Sequence, residues 1–414
     1  MKLLASALLA PVLAGALCAA QGSLAPEAET FARLTAELVG LERGVEPTVV
    51  SQRIHALGSA CAPLVFEALC RQELPTAEGA LVLGEREHQV LLDGARRIGR
   101  EPFVRPWSEA ASSADGRRRK AAIELVGLTG KVGDLGTAVL AATPLEAETR
   151  PDSEALAALE LAAGRLLARD PGTLALLRPA ILNSPVELGG SLIRAAGHTP
   201  SGRTLVFLVD LLGFEERLEL PLLSQIARVA RAEEPPFEEA VLARVRPYLD
   251  DPDRQVVRTA AMALAVLQDE EAVPALLALA ASPDAALSGA AFAALERTTG
   301  LALPRRPERW SSWFAVERSW MAEEKPRVVA ALQGEDVPRI LAALRELAQH
   351  RLGRQRLALL AERQLGHDDR GVRLEACRTL RALATPAVRA SLEGMLSDAN
   401  PEVSLAAMEA LRAL

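Results

Sequence analysis

The chain has 414 residues, half of them hydrophobic and only 3% aromatic, and its formal net charge at pH 7 is −7. Most of the apolar residues are Ala, Leu and Val, a composition that favours helices because Ala and Leu are strong helix formers and strand-forming aromatics are scarce. The acidic charge argues against nucleic-acid binding. The length allows two ordinary domains or one extended repeat array.

Residues 1–20 have the layout of a secretory signal peptide. Lys2 precedes an apolar run that is too short and too rich in alanine for a membrane span. Cleavage after Ala20 would leave small residues at Cys18 and Ala20, as signal peptidases require. A lipoprotein signal with Cys18 as the lipidated residue is the alternative, although Leu17 is larger than such signals favour. We expect an exported chain, periplasmic or secreted, with no stable membrane insertion after cleavage.

Four segments of the mature chain share one helical template. Each begins with an Asp or Asn at a helix N-cap, followed by residues at offsets of 3, 7, 11 and 14 that are apolar except for Thr298, which draws one apolar stripe along a helix. The residue at offset 7 is always Ala, which lets a neighbouring helix approach closely. The four caps are Asp253, Asp284, Asp369 and Asn400. Two pairs of caps lie 31 residues apart, enough for two short helices and two turns.

These units resemble the short HEAT repeats of bacteria, often called HEAT-like lyase repeats after a family of pigment-attaching enzymes. The Val372-Arg373 pair matches that family, and the match is specific over 250–300 and 366–414. The resemblance implies an all-α fold, an α-solenoid of stacked antiparallel helix pairs forming a HEAT/armadillo-like superhelix. A non-repetitive helical bundle would explain the composition but not the four templates. Nothing in the sequence is specific to pigment chemistry.

The resemblance divides the chain into stretches of unequal regularity. After the signal peptide we expect N-terminal HEAT-like pairs, divergent helical repeats, HEAT repeats, a Trp-rich insert and C-terminal HEAT repeats. Their predicted bounds are 21–145, 146–249, 250–300, 301–335 and 336–414.

The insert carries Trp310, Trp313 and Trp320, three of the four tryptophans, at spacings that place them near one helix face. In style it resembles inserts in exported HEAT-repeat proteins of planctomycete-like bacteria. One interpretation is that the indoles pack in the core against small Ala-lined helices, which is the usual role of Trp on one helix face. The other is that exposed indoles grip a glycan or peptide. We favour the first.

No motif for catalysis, metal or cofactor binding is readable. The five histidines are scattered without metal-ligand spacing, and neither a Gly-x-Ser-x-Gly elbow nor a phosphate loop occurs. Cys61, Cys70 and Cys377 fall in apolar helical settings and are expected to be small buried hydrophobes. We therefore predict no enzyme activity, no cofactor and no metal.

The leading hypothesis is an exported scaffold that binds a protein or peptide on the exposed side of its second helices. Four arginines that fall off the apolar stripes are the candidate contacts and suggest an acidic partner, although solvated surface charges are the simpler interpretation. They are Arg258, Arg373, Arg378 and Arg381. The alternative hypothesis is an envelope polysaccharide-binding module that uses Trp310, Trp313 and Trp320.

Overall fold

The structure, a computed structural model, describes residues 26–71, 73–76, 79–146, 150–233 and 235–414. The predicted signal peptide lies outside these residues. The chain divides into two compact units, Met1–Thr199 and Pro200–Leu414. The described residues form 23 α-helices and one pair of short strands, which confirms the predicted class, an all-α solenoid of stacked helix pairs. None of these helices is both long and apolar enough to cross a bilayer.

The described part of the first unit contains ten α-helices and one hairpin. The helices are α1 (Pro26–Glu42), α2 (Pro47–Ala56), α3 (Ala62–Leu69), α4 (Glu85–Ile98), α5 (Val104–Ala111), α6 (Gly116–Thr129), α7 (Leu135–Ala142), α8 (Ser153–Arg169), α9 (Thr173–Leu182) and α10 (Val186–Gly197). The hairpin strands are β1 (Glu73–Thr76) and β2 (Gly79–Val82).

The second helices of successive pairs form a continuous row in the first unit. Helix α2 packs on α4, α4 on α6, α6 on α8, and α8 on α10. Small residues allow this approach, since a Cβ added to Gly127 of α6 would lie 2.6 Å from the Cα of Ala162 in α8. Polar pairs also join neighbours, including Lys120 with Glu154 at 2.7 Å. The row is thus held by close backbone packing and by charges that neutralise one another.

The hairpin is an addition that the all-helical prediction lacked. Strands β1 and β2 pair antiparallel, with Glu73 opposite Val82 and Leu74 opposite Leu81. Leu74 and Leu81 are buried, so the pair contributes to the core while joining α3 to α4. A segment of four-residue strands is too short for its period-two pattern to be visible in sequence.

The second unit contains thirteen α-helices among its described residues. They are α11 (Gly202–Asp210), α12 (Glu216–Ala230), α13 (Glu239–Val245), α14 (Arg254–Leu267), α15 (Val273–Ala280), α16 (Ala285–Thr299), α17 (Pro307–Glu323), α18 (Lys325–Leu332), α19 (Val337–Leu347), α20 (Arg354–Glu362), α21 (Arg370–Leu383), α22 (Arg389–Gly394) and α23 (Pro401–Arg412).

The four predicted caps all act as caps. The side chains of Asp253, Asp284, Asp369 and Asn400 accept hydrogen bonds from backbone N–H groups in the first turns of α14, α16, α21 and α23, at 2.7 to 3.4 Å. The small residue at offset 7 is fully buried in every case. The template therefore identified the second helix of each of these pairs, and local capping and the apolar stripe account for it.

The Trp-rich insert interrupts the row of second helices in this unit. Helices α12, α14 and α16 pack consecutively, and so do α19, α21 and α23. Between these two sets the chain inserts α17 and α18, and α17 packs against the first helix α15 and against α18. The predicted departure from the repeat is therefore a single 17-residue helix with a short companion.

Candidate functional site

Arg373, predicted as a partner contact, is instead committed to the protein itself. Its guanidinium donates to both carboxylate oxygens of Asp398 at 2.7 and 3.1 Å and to the backbone carbonyls of His367 and Asp368 at 2.9 Å. The hydrogen bonds to Asp398 raise the pKa of Arg373, and those same bonds lower the pKa of Asp398. This bidentate pair ties the start of α21 to the turn before α23. The guanidinium of Arg373 is thus occupied by contacts within the protein, and its role as a partner contact stays a prediction.

Arg378 and Arg381 are exposed, but each forms an ion pair with a glutamate. Arg378 lies 3.6 Å from Glu375, and Arg381 lies 2.6 Å from Glu409 on the adjacent second helix α23. Exposed pairs of this kind contribute little to stability. They do, however, reduce the net positive field that an acidic partner would meet on α21.

Arg258 differs from the other three predicted arginines. It is exposed on α14 and forms no ion pair with any residue that the structure describes. One turn further, Met262 leaves 47% of its surface exposed. The two belong to the only exposed stripe of a helix whose other sides are covered by α12 and α16. Arg258 therefore remains a candidate contact for an acidic partner, as predicted for the four arginines.

The neighbouring second helices α12 and α16 also carry exposed arginines, near their C-terminal ends. Arg228 in the last turn of α12 and Arg297 in the last turn of α16 are both exposed, and neither is ion-paired within the described ranges. The stripe of α16 also presents Gly289 and Ala293, and a Cβ added to Gly289 would meet nothing within 4 Å. We call the surface formed by Arg228, Arg258, Met262, Ala293 and Arg297 the basic face. Arg228 and Arg297 were not predicted, because the stacking of their helices beside α14 is not encoded in any sequence spacing.

Two of the three insert tryptophans lie in the interior. Trp310 is fully buried and contacts Trp313 edge-on, with ring centroids 5.8 Å apart and planes at 82°. Trp320 is 7% exposed, stacks on His350 at 3.7 Å, and donates its indole N–H to Glu346 at 2.8 Å. These placements agree with the core-packing interpretation. A surface platform of three tryptophans is wrong, because only Trp313 retains partial exposure.

A buried polar junction accompanies the insert. Glu317 of α17 is only 3% exposed and accepts hydrogen bonds from the backbone N–H groups of Arg351 and Leu352, both at 3.0 Å. The ring Nδ1 of His350 lies 3.2 Å from the same carboxylate. Glu317 thus fixes the segment that precedes α20, and every partner lies more than 30 residues away in sequence.

Arg354 extends this junction to three helix ends. Its side chain is 7% exposed and donates to the carbonyl of Arg297 at 3.1 Å, to the side-chain oxygen of Gln268 at 3.4 Å, and to the carbonyl of Ala384 at 3.5 Å. These acceptors lie at the C-terminal ends of α16, α14 and α21, where carbonyls and the helix dipole favour a cation. Burial lowers the pKa of Arg354. Arg354 therefore links helices on both sides of the insert.

Glu270, which lies near Arg354 and Arg356, has a raised pKa. Burial raises its pKa from 4.5 to about 7, opposed by the nearby positive charges of Arg356 and Arg354. Its Oε1 has no hydrogen-bond partner. The group therefore holds its proton more tightly in the folded protein than in the unfolded chain.

The described cysteines are buried, and three of the histidines form pairs with glutamates. Cys61, Cys70 and Cys377 are all buried free thiols, and burial raises the pKa of Cys70 to about 12 and that of Cys377 to about 11. Three histidines each contact one glutamate: His88 with Glu124, His198 with Glu160, and His350 with Glu317. Within the described ranges, no three His, Cys, Asp or Glu residues are grouped as a metal site would need.

One shallow groove lies beside α11 in the second unit. Its volume is about 470 Å³, and it is lined by Arg203, Val206, Glu233, Phe237 and Val241 among others. Val206 is exposed there, whereas Val241 is buried and forms part of the floor. The groove opens broadly to solvent and brings no titratable pair into contact, so it is a surface depression.

Comparisons with known proteins found distant structural likenesses. No family model and no curated protein matches the sequence. An engineered protein is 18% identical with a TM-score of 0.33, covering 97% of this chain and 98% of its own. Human deoxyhypusine hydroxylase in complex with glycerol is 17% identical with a TM-score of 0.27, covering 68% of this chain and 95% of its own. Kap121p is 14% identical with a TM-score of 0.33, and this whole chain spans 50% of it. Nothing in these comparisons bears on the resemblance to exported proteins of planctomycete-like bacteria.

Proposed function

We propose that the mature chain is an exported, non-enzymatic scaffold that binds an acidic segment of a protein partner on the basic face. Export rests on the signal-like residues 1–20. The proposed class of function rests on a solenoid arrangement that presents side chains of consecutive second helices on one surface.

The observation that carries the proposal is the contrast in charge pairing along the second helices. On α21 the three predicted arginines all have acidic neighbours at 4 Å or less. On α12, α14 and α16, Arg228, Arg258 and Arg297 have no such neighbour among the described residues. In a chain of net charge −7, a surface with three unpaired arginines is a local reversal of sign. Such a surface attracts acidic segments and raises their association rate.

The basic face also has an apolar part, which a partner would cover on binding. Met262 is half exposed between Arg258 and the end of α14, and the adjacent stripe of α16 is formed by the small residues Gly289 and Ala293. Methionine adapts its shape to different apolar side chains. The face therefore suits a segment with carboxylates and at least one apolar side chain, held in part by charge and so weakened by salt.

The test is a triple charge reversal, Arg228→Glu, Arg258→Glu and Arg297→Glu, with a labelled peptide of aspartates and leucines as the probe. Fluorescence anisotropy should show a loss of affinity of about tenfold or more, because the field of the face changes sign. The matched control reverses three other exposed arginines of the same unit, Arg363, Arg370 and Arg389, which gives the same net charge. We expect the control to bind nearly as well as the unaltered protein. Equal losses in both triple variants would mean that net charge alone attracts the peptide and would refute the proposed face.

A further inference from the structure

The solvent-facing flank of α17 is a second exposed surface with a distinct composition. Arg309, Trp313 and Val316 follow one another at spacings of four and three residues and so lie along one side of the helix. Val316 is 65% exposed, Arg309 is exposed, and Trp313 is half-buried. Because α17 packs against the first helix α15, this flank belongs to a different layer from the basic face.

Trp313 is held as a rigid partner for an apolar side chain. Its ring meets the edge of Trp310, which is fully buried and fixed in the core. Phe314 lies beside Trp313, with ring centroids 6.4 Å apart, and the guanidinium of Arg318 lies 5.8 Å from the Phe314 ring centroid. A half-buried aromatic ring supported by a buried one loses little conformational entropy on binding, as anchor residues in interfaces do.

Positive charge is concentrated at the N-terminal end of the same flank. Arg306 at the N-cap and Arg309 are exposed, and neither is ion-paired with a described residue, whereas Arg305 pairs with Glu296 at 3.0 Å. No side chain caps the first turn of α17, and the positive end of the helix dipole adds to the positive potential there. Glu308, the acidic residue of that turn, is one position from Arg309 and therefore lies on another side of the helix.

We propose that this α17 flank, formed by Arg306, Arg309, Trp313 and Val316, is a docking site for a protein segment of defined pattern. The segment carries carboxylates that lie over the N-terminal end of α17, followed by a large apolar side chain that packs between Trp313 and Val316. The order of charge and apolar surface along α17 fixes this pattern. The site is independent of the basic face, since its residues and its helix layer are different.

The test uses two labelled peptides on the full mature chain: one with consecutive aspartates followed by leucines, and one with lysines in place of the aspartates. Read from Trp emission, which reports on the α17 flank, Val316→Asp should weaken the affinity for the aspartate peptide by about tenfold, and Arg309→Glu by a similar factor. Trp emission should change on binding, because Trp313 becomes covered. Val206→Asp is the matched control, since it places the same charge at another exposed valine of the second unit.

Four outcomes would overturn the proposal. Two concern the variants: unchanged affinity in Val316→Asp, or an equal loss of affinity in Val206→Asp. Two concern the ligand: equal binding of the lysine peptide, or Trp313-dependent binding of a soluble glucan when the aspartate peptide does not bind. Met262→Asp separates this site from the basic face, because it should leave the Trp emission response intact. All of these side chains lie at the surface, so circular dichroism and the melting temperature should confirm that each variant folds.

Discussion

The regular repeats and the insert region of the second unit are built from different kinds of contact. In α14, α16, α21 and α23 the order comes from a cap, a first turn and an apolar stripe, all within about 15 residues. Around α17 the order comes from buried polar groups whose partners lie 26 to 86 residues away. The first kind of structure tolerates single changes well, whereas the second depends on every partner being present.

The largest effect should come from removing the buried indole of the insert. Trp310→Ala should lower the free energy of unfolding by about 3–5 kcal/mol, because the loss of a large buried ring leaves a cavity. Trp313→Ala is the matched control and should cost clearly less, since Trp313 is partly exposed. Urea unfolding followed by circular dichroism measures both. Equal losses would mean that the two rings are buried alike and that the α17 flank is not open to a partner.

The next effect concerns the carboxylate at the centre of the junction. Glu317→Ala should destabilise the protein by about 2–4 kcal/mol, because two buried backbone N–H groups and His350 lose their acceptor. Asp284→Ala in the regular repeats removes a helix cap and an exposed ion pair with Arg254, and it should cost about 1 kcal/mol. Equal losses in the free energy of unfolding would mean that the junction depends on its polar groups no more than an ordinary repeat does. That result would contradict the proposed difference between the insert region and the regular repeats.

These differences explain how much the sequence could predict. Caps and stripes are local, so the four templates could be found without a structure. The partner of Arg373 lies at Asp398, and the acceptors of Arg354 lie at Gln268, Arg297 and Ala384. Such pairings depend on how helices stack, which no spacing in the sequence encodes. The same limit hid the basic face, whose arginines share a surface only once α12, α14 and α16 are stacked.

A smaller effect with a distinct pH signature is expected at Glu270. Burial raises its pKa to about 7, so the folded state binds a proton more tightly than the unfolded chain, and stability falls as pH rises from about 4.5 to 7. Glu270→Gln removes this titration and should raise the free energy of unfolding at pH 8 by about 1–3 kcal/mol, with little change near pH 4. Unfolding measured at both pH values tests this. A variant less stable than the parent at pH 8 would show that the ionised carboxylate is needed by Arg354 and Arg356.

The most direct test of the proposed function is a hydrogen-exchange footprint of the aspartate–leucine peptide on the mature protein. Backbone amides exchange more slowly where a bound segment excludes water and restricts opening. The proposal predicts protection in α12, α14 and α16, and separately in the first half of α17, with α21 unchanged. Protection confined to α21, where Arg373, Arg378 and Arg381 lie, would contradict the assignment of the basic face and return the site to the arginines that the structure shows as internally paired.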